Sequence, residues 1–366
     1  MTPITLPRLP DSNLIKPARA LRLLFLTDAV TIGGSEVYLR EMLPRLQARG
    51  HKVAAALPRV QGNRAIREQL QERGVWVHGY ESLEEIPFNY DTLVMSTWFP
   101  QNHPRFRRLP GRKVALVHDQ LVVYYPQPLR WGYQVGYRTV QAPNLRAVDK
   151  VITVSHWATE YLERYYGVPG VIAVPNGIDV DRFHPASPQQ RLELREKYRF
   201  ERFTVLVPAR VSLEKNHWAT LTAARLLPEV DFIVVGKGEF KWLLEPLSPP
   251  NVHWWGTRHD MPDLYRAADV LLQPTLGENQ SLATLEAMAS GLAIVSSNIP
   301  AQRELIEDEL EGLLVDPEGK AVARALSRLA ADPILAATLG ANAREKVLGG
   351  HTLEQNADAL EAALFE

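Results

Sequence analysis

Short aliphatic or β-branched runs alternate with helix-length amphipathic segments from Leu21 onward, and that alternation leaves this chain few folds. LRLLFLT, VAAAL, VWVHG, DTLVMS, KVALVH, KVITVS and VIAVPN follow one another to about Asn176, with helical spacing over Glu36 to Arg49 and Asn63 to Arg73 between the first of them. Strands separated by helices pair in parallel through crossover connections. Most of these runs are apolar without a break, as strands covered on both faces are. Segment 181–202, DRFHPASPQQRLELREKYRFER, interrupts the rhythm with prolines and charge and reads as an interdomain linker. The rhythm restarts with FTVLVPA, DFIVVG, NVHWWG, DVLLQPT, LAIVSS and EGLLVD, between which His217 to Leu227 and Ser281 to Ser290 have helical spacing. After Asp316 the chain is mainly helical, rich in alanine and leucine, which predicts a strap returning over the first half.

The predicted fold is α/β, with two Rossmann-like parallel-sheet domains facing across a cleft. Its expected parts are a loosely ordered prefix over 1–20, a first domain over 21–185, a second over 186–350 and a terminal helix over 351–366 packing on the first domain. A single doubly wound sheet is the alternative, but it would be unusually wide. A chain of 366 residues suits two cores, and clefts between domains are where ligands bind.

Charge and cysteine narrow the function classes. Lys plus Arg total 41 against 42 for Asp plus Glu, which removes the global electrostatic case for a nucleic-acid binder, so any anion site must be local. With no cysteine there is no disulfide, thiolate nucleophile or Cys-ligated zinc, and a cytoplasmic setting is the expectation. The first twenty residues hold no apolar run of signal-peptide length, and no stretch approaches the ~20 apolar residues of a membrane span. RFRRLPGRK at 105–113 and YYPQPLRWGYQVGYR at 124–138 interleave basic and aromatic residues. They suit peripheral contact with the anionic inner face of a membrane, or else a solvated loop and a helix with its aromatics turned inward.

Open parallel sheets bind ligands beyond the carboxyl ends of their strands. After LRLLFLT, Gly33 and Gly34 lead into a helix whose first N–H groups favour an anion, although a glycine pair there is more often turn chemistry. The equivalent loop of the second half, PARVSLEKNH, carries Arg210 and Lys215, two cations suited to a pyrophosphate. In PTLGENQSLATLEAMASG, Glu278 and Glu286 are separated by a path that, if wholly helical, rises ~12 Å, about the reach from the ribose to the hexose of a sugar nucleotide. Between them the N–H groups of Gln280 to Ala283 begin a helix and suit a β-phosphate.

IGGSE at 32–36, VITVSHWATEYL at 151–162, VPNGIDVDRFHP at 174–185, RVSLEKN at 210–216, VVGKGE at 234–239, AADVLLQPT at 267–275 and ENQSLATLEAMASG at 278–291 stand in an order that resembles glycosyltransferase family 4, retaining enzymes of the GT-B fold. The resemblance implies that Arg210 and Lys215 bind the donor diphosphate, Glu286 the ribose and Glu278 the transferred sugar. The backbone of Asn279, Gln280, Ser281 and Leu282 assists, and His118 is a cleft histidine beside the donor sugar. It further implies a hexose moved with retention from a UDP- or GDP-sugar to a hydroxyl of a saccharide, lipid-linked or small-molecule acceptor, in glycan or glycolipid synthesis, without metal or other cofactor. A sugar-nucleotide epimerase of the same architecture and a non-catalytic sugar-nucleotide-binding subunit are the alternatives. Two departures stand out. Asn279-Gln280-Ser281 replaces the family's Gly-Phe-Gly, and Asn216 replaces the glycine that often follows the lysine. Asp179 and Asp181 mimic a metal-binding Asp-x-Asp pair, Asn279 to Ser281 a glycosylation sequon, and Gly236-Lys237-Gly238 the start of a dinucleotide fingerprint, but each reads better as local structure.

Overall fold

The computed structural model describes residues 20–86, 89–97 and 99–365; the expected prefix, Ala20 apart, lies outside them. Strands β1 (Arg22–Thr27), β2 (Lys52–Pro58), β3 (Trp76–Tyr80), β4 (Thr92–Ser96), β5 (Arg112–Val117), β6 (Lys150–Thr153) and β7 (Val171–Ala173) form one sheet in the order β3-β2-β1-β4-β5-β6-β7. Strands β8 (Thr204–Pro208), β9 (Asp231–Val235), β10 (Val252–Gly256), β11 (Val270–Gln273), β12 (Ala293–Ser297) and β13 (Leu313–Val315) form a second, in the order β10-β9-β8-β11-β12-β13. Every pairing is parallel. Strands β4, β11 and β12 are buried along their whole length, which is why their apolar runs do not alternate with polar residues.

The linker is shorter than the prolines and charges imply. Within 181–202, Pro188–Tyr198 is a helix whose cap, Ser187, accepts from the Gln190 N–H at 3.2 Å while Gln190 Oε1 accepts from Ser187 N at 3.0 Å. Arg191 and Arg195 of that helix both reach Asp269, at 2.5 and 2.9 Å, and so fasten it beneath the second sheet. Its charge serves an anchoring contact, where composition reads only a linker.

The last helix, Leu353–Phe365, crosses back to the first domain. Leu353, Ala357, Leu360 and Leu364 share one buried cluster with Leu39, Met42, Leu43 and Leu46 of the helix Gly34–Ala48. Each buried leucine contributes about 2 kcal/mol relative to exposure, enough to hold the strap closed. Where it crosses, Ile178 N donates to His351 O at 2.8 Å and Leu353 N to Ile178 O at 3.1 Å. Gly177 permits that approach: a Cβ there would stand 2.2 Å from Thr352 O.

Candidate functional site

Strand order reverses between β1 and β4 in one sheet and between β8 and β11 in the other. Connections leave such a point in opposite directions and open a crevice beyond the strand ends. The two crevices face one another around a cavity of about 820 Å³. Gly33, Gly34, Ser96, His118 and Asp119 line it from the first domain; Arg210, Lys215 and the run Glu278 to Ala283 line it from the second.

The cation loop is built by local geometry. Leu213–Lys215 is a tight helical turn that ends on Asn216 in the left-handed region, φ 53° and ψ 46°. Glycine and asparagine tolerate that conformation best, which accounts for the substitution seen at this position. Asn216 adds two bonds a glycine lacks, donating from Nδ2 to Pro274 O at 2.9 Å and Pro317 O at 2.8 Å. Gly236 and Gly238 lie against the same loop, where a Cβ would stand 2.0 Å from Ala209 O or 2.2 Å from Val211 O, so these glycines are packing residues of the site. Lys215 forms an ion pair with Glu278, both nearly buried, whereas Arg210 is 58% exposed and pairs with Glu214 at 3.2 Å.

The segment between the two glutamates is not wholly helical. The helix is Leu282–Ala289, capped by Ser281, whose Oγ accepts from Thr284 N at 3.2 Å, so residues 278–281 form a loop and the ~12 Å helical reach does not apply. The side chains of Asn279 and Gln280, to which the resemblance gives no role, reach the first domain. Asn279 Oδ1 accepts from Ser155 Oγ at 2.6 Å, its Nδ2 donates to Val117 O at 3.1 Å and Thr153 Oγ1 at 3.3 Å, and its carbonyl accepts from Trp157 Nε1 at 2.7 Å. Gln280 Oε1 accepts from Asn176 N at 2.5 Å. Asn279 thus leaves a ligand no free side-chain atom, Gln280 keeps a buried Nε2 without a protein partner at the main cavity, and the sequon asparagine is buried. Glu304 completes the junction by accepting from His156 N at 2.9 Å and Trp157 N at 2.8 Å, at the start of the helix His156–Tyr166.

Glu278 and Glu286 open into different cavities. Glu286 lines a smaller one of about 200 Å³ with Arg182, Arg258 and His259, and this joins the main cavity at Val37 and Leu282, which line both. Tyr265 donates to Glu286 Oε2 at 2.8 Å, yet burial dominates and pushes the carboxyl up to about 7. Asp179 accepts from Asp181 N at 3.2 Å and Arg182 N at 2.9 Å, which is the local turn the sequence suggests. Among the described residues no group of three or more His, Cys, Asp or Glu is arranged to hold a metal ion.

On the first-domain wall, the Gly33 N–H donates to the buried Glu36 carboxylate at 2.9 Å, so it is not among the helix-start donors free for an anion. Gly34 lies close to Leu282 across the cleft; a Cβ there would meet Leu282 Cδ1 at 3.7 Å. His118 packs edge-on against Tyr38 with ring centroids 5.0 Å apart, and burial pushes its pKa down to about 4, leaving an uncharged imidazole in the cavity wall. Sequence reading missed Asp119, Tyr137 and Gln141 beside it. Their signal was there: Asp119 follows a strand-end histidine, and Tyr137 and Gln141 lie four residues apart at the end of the aromatic segment.

A family model described as Glycosyltransferase Family 4 matches residues 32–182, and one described as Glycosyl transferases group 1 matches residues 202–332. The UDP-Gal:alpha-D-GlcNAc-diphosphoundecaprenol alpha-1,3-galactosyltransferase of Escherichia coli is 28% identical over 54% of this chain and 54% of its own, so the match spans about half of that relative. The GDP-mannose-dependent alpha-(1-6)-phosphatidylinositol monomannoside mannosyltransferase of Mycobacterium tuberculosis is 26% identical over 91% of this chain and 94% of its own. Among solved structures, Anabaena Alr3699/HepE in complex with UDP and glucose superposes with a TM-score of 0.79 at 19% identity, over 94% of this chain and all of that one, a likeness of fold. Two matching family models in chain order, joined to two facing parallel sheets, lead to one conclusion: the chain belongs to glycosyltransferase family 4 and has the GT-B architecture.

Proposed function

We propose that the protein transfers a hexose, with retention, from a UDP- or GDP-sugar to a hydroxyl acceptor in glycan or glycolipid synthesis. The observation that carries this reading is the meeting of Lys215, Glu278 and the start of the helix Leu282–Ala289 in one interdomain cavity. Lys215 and Glu278 neutralise each other, which spares two nearly buried charges. An arriving donor exchanges that pair for two better-matched ones: phosphate oxygens take Lys215, and sugar hydroxyls donate to Glu278. The helix-start amides of Leu282 and Ala283 face the same phosphate.

As the glycosidic bond breaks, negative charge grows on the diphosphate and positive charge on the sugar ring. Lys215, Arg210 and the helix start stabilise the first, and Glu278 stabilises the second. The leaving phosphate oxygen is then the group positioned to take the acceptor hydroxyl's proton from the same face. Glu286, in the adjoining cavity, accepts from the ribose hydroxyls with Tyr265 orienting it.

Lys215→Ala is expected to weaken nucleoside-diphosphate binding by about tenfold or more, since it removes a charge-assisted contact and strands Glu278 in the cleft. Arg210→Ala should do less, its side chain being largely solvated. Calorimetry with UDP and GDP checks both; unchanged affinity in the two variants excludes the phosphate role. Turnover is expected to survive EDTA. Donor conversion without any acceptor would point to an epimerase instead.

Among the described residues no helix is long and apolar enough to cross a membrane. Tyr133 and Tyr137 turn inward, against the core and the cavity wall, while Trp131 and Leu129, each 64% exposed, face out near the exposed Arg138. We expect this face to bind anionic vesicles at low salt and release them at high salt, each cation near the surface contributing about 1 kcal/mol. Flotation with phosphatidylserine vesicles is the measurement; no binding at low salt rules the contact out.

A further inference from the structure

We propose that the first-domain wall of the cleft is an acceptor subsite for an uncharged, polyhydroxylated ring, held by Asp119, Gln141 and Tyr137. The proposal rests on the glycosyltransfer reading and names the substrate class of that site. Asp119 follows β5, and Gln141 Nε2 donates to its Oδ2 at 3.1 Å. That bond uses the donor end of the amide and leaves Gln141 Oε1 buried without a protein partner. The Tyr137 hydroxyl and His118 Nε2 are buried and unpartnered as well, and all four residues line the main cavity. Buried polar atoms are nearly always paired, so several orphans on one cavity wall indicate where a ligand's polar groups belong.

Their chemistry is one-sided. A carboxylate and an amide oxygen only accept hydrogen bonds, while a phenol and a neutral imidazole adapt to either role. A ligand that satisfies them must donate repeatedly, as a ring of hydroxyls does. The wall also lacks the charge an anionic ring requires: among the described residues lining the cavity, the lysine and arginine are Lys215 and Arg210, both on the opposite side. Burial raises the Asp119 pKa to about 6, with nearby Asp28 adding to it, and burial holds His118 neutral, so a phosphorylated ring would set its charge against carboxylates with no cation beside it. Gly136 and Val140 continue the lining, next to the exposed Trp131 and Val135, where an apolar aglycone would lie.

Ligand-observed NMR on protein saturated with nucleoside diphosphate tests this, with n-octyl hexopyranosides and myo-inositol set against hexose 6-phosphates and inositol 3-phosphate. The neutral rings are expected to bind and the phosphorylated ones not. Asp119→Asn retains an oxygen for Gln141 but loses the charge, and should weaken the neutral rings by about tenfold, the size of a lost bond to a charged group; Tyr137→Phe should weaken them by about threefold. Nucleotide affinity, read in the same samples, should hold in both variants. Phosphorylated rings bound as tightly as neutral ones, no ring bound by nucleotide-loaded protein, or ring affinity unchanged in Asp119→Asn would each overturn the proposal. Failure of the glycosyltransfer reading looks different: the wild-type protein would then take up no nucleoside diphosphate, or would take it up and convert the donor, or leave it unchanged, whatever ring is supplied.

Discussion

Glu278→Ala is expected to lower turnover by about 10²–10³ while free nucleoside-diphosphate affinity stays level or rises. The two effects separate because of the ion pair. Lys215 is held by Glu278, so a phosphate must compete with a nearly buried carboxylate for the same ammonium. Removing that carboxylate releases Lys215 to the nucleotide and costs only the sugar contact, which strengthens as the ring gains positive charge. Calorimetry on free UDP or GDP and initial rates on the sugar nucleotide provide the comparison. A loss of nucleotide affinity matching the loss of rate would show that the loop at Glu278 merely supports the pocket.

Glu286→Gln is expected to act in opposite directions on binding and on stability. Its folded-state pKa, raised to about 7 by burial, lies above the ordinary 4.5. Between those values the native protein keeps a proton that the unfolded chain has released, so stability falls as pH rises from about 4.5 to about 7 and is level beyond. The full loss is about 3 kcal/mol, at roughly 1.4 kcal/mol per pH unit. Glutamine carries no charge to desolvate, so the variant should unfold at higher denaturant than wild type at pH 8, with the advantage gone near pH 4.5. Ribose hydroxyls, by contrast, donate better to a carboxylate. Wild-type nucleotide affinity should therefore gain on the variant's as pH rises through 7, a difference from which titration of the nucleotide's own phosphate cancels. Parallel affinity curves would remove Glu286 from the ribose site. A stability gap independent of pH would show that its burial is not what holds the proton.

Some of this site is written locally and some is not. The loop after the first strand of the second half carries its cations wherever the sheet lies, so Arg210 and Lys215 could be picked out from strand order alone. Asn216 was visible as a departure, but its fit to a left-handed backbone became apparent only with φ at 53°. The two glutamates are the opposite case. Counting residues along a helix spaces them by a rise of ~12 Å, yet Ser281 caps the helix three residues after Glu278 and turns the preceding loop into the main cavity. The resemblance assigns the backbone of Asn279 and Gln280 to the donor and leaves their side chains without a role. Their side chains instead answer to Ser155 and Asn176, more than a hundred residues away.

Hydrophobic periodicity, loop length and turn chemistry are properties of a few consecutive residues, and by themselves they determined the two parallel sheets, the returning terminal helix and the cation loop. Which side chains face the ligand, which are spent across the cleft and which carry shifted pKa values depended on groups brought together from distant parts of the chain. Burial and pairing are properties of that assembly. Only the tertiary structure therefore divided Glu278 from Glu286 and put the unpartnered Tyr137 hydroxyl and Gln141 oxygen in the wall beside Asp119.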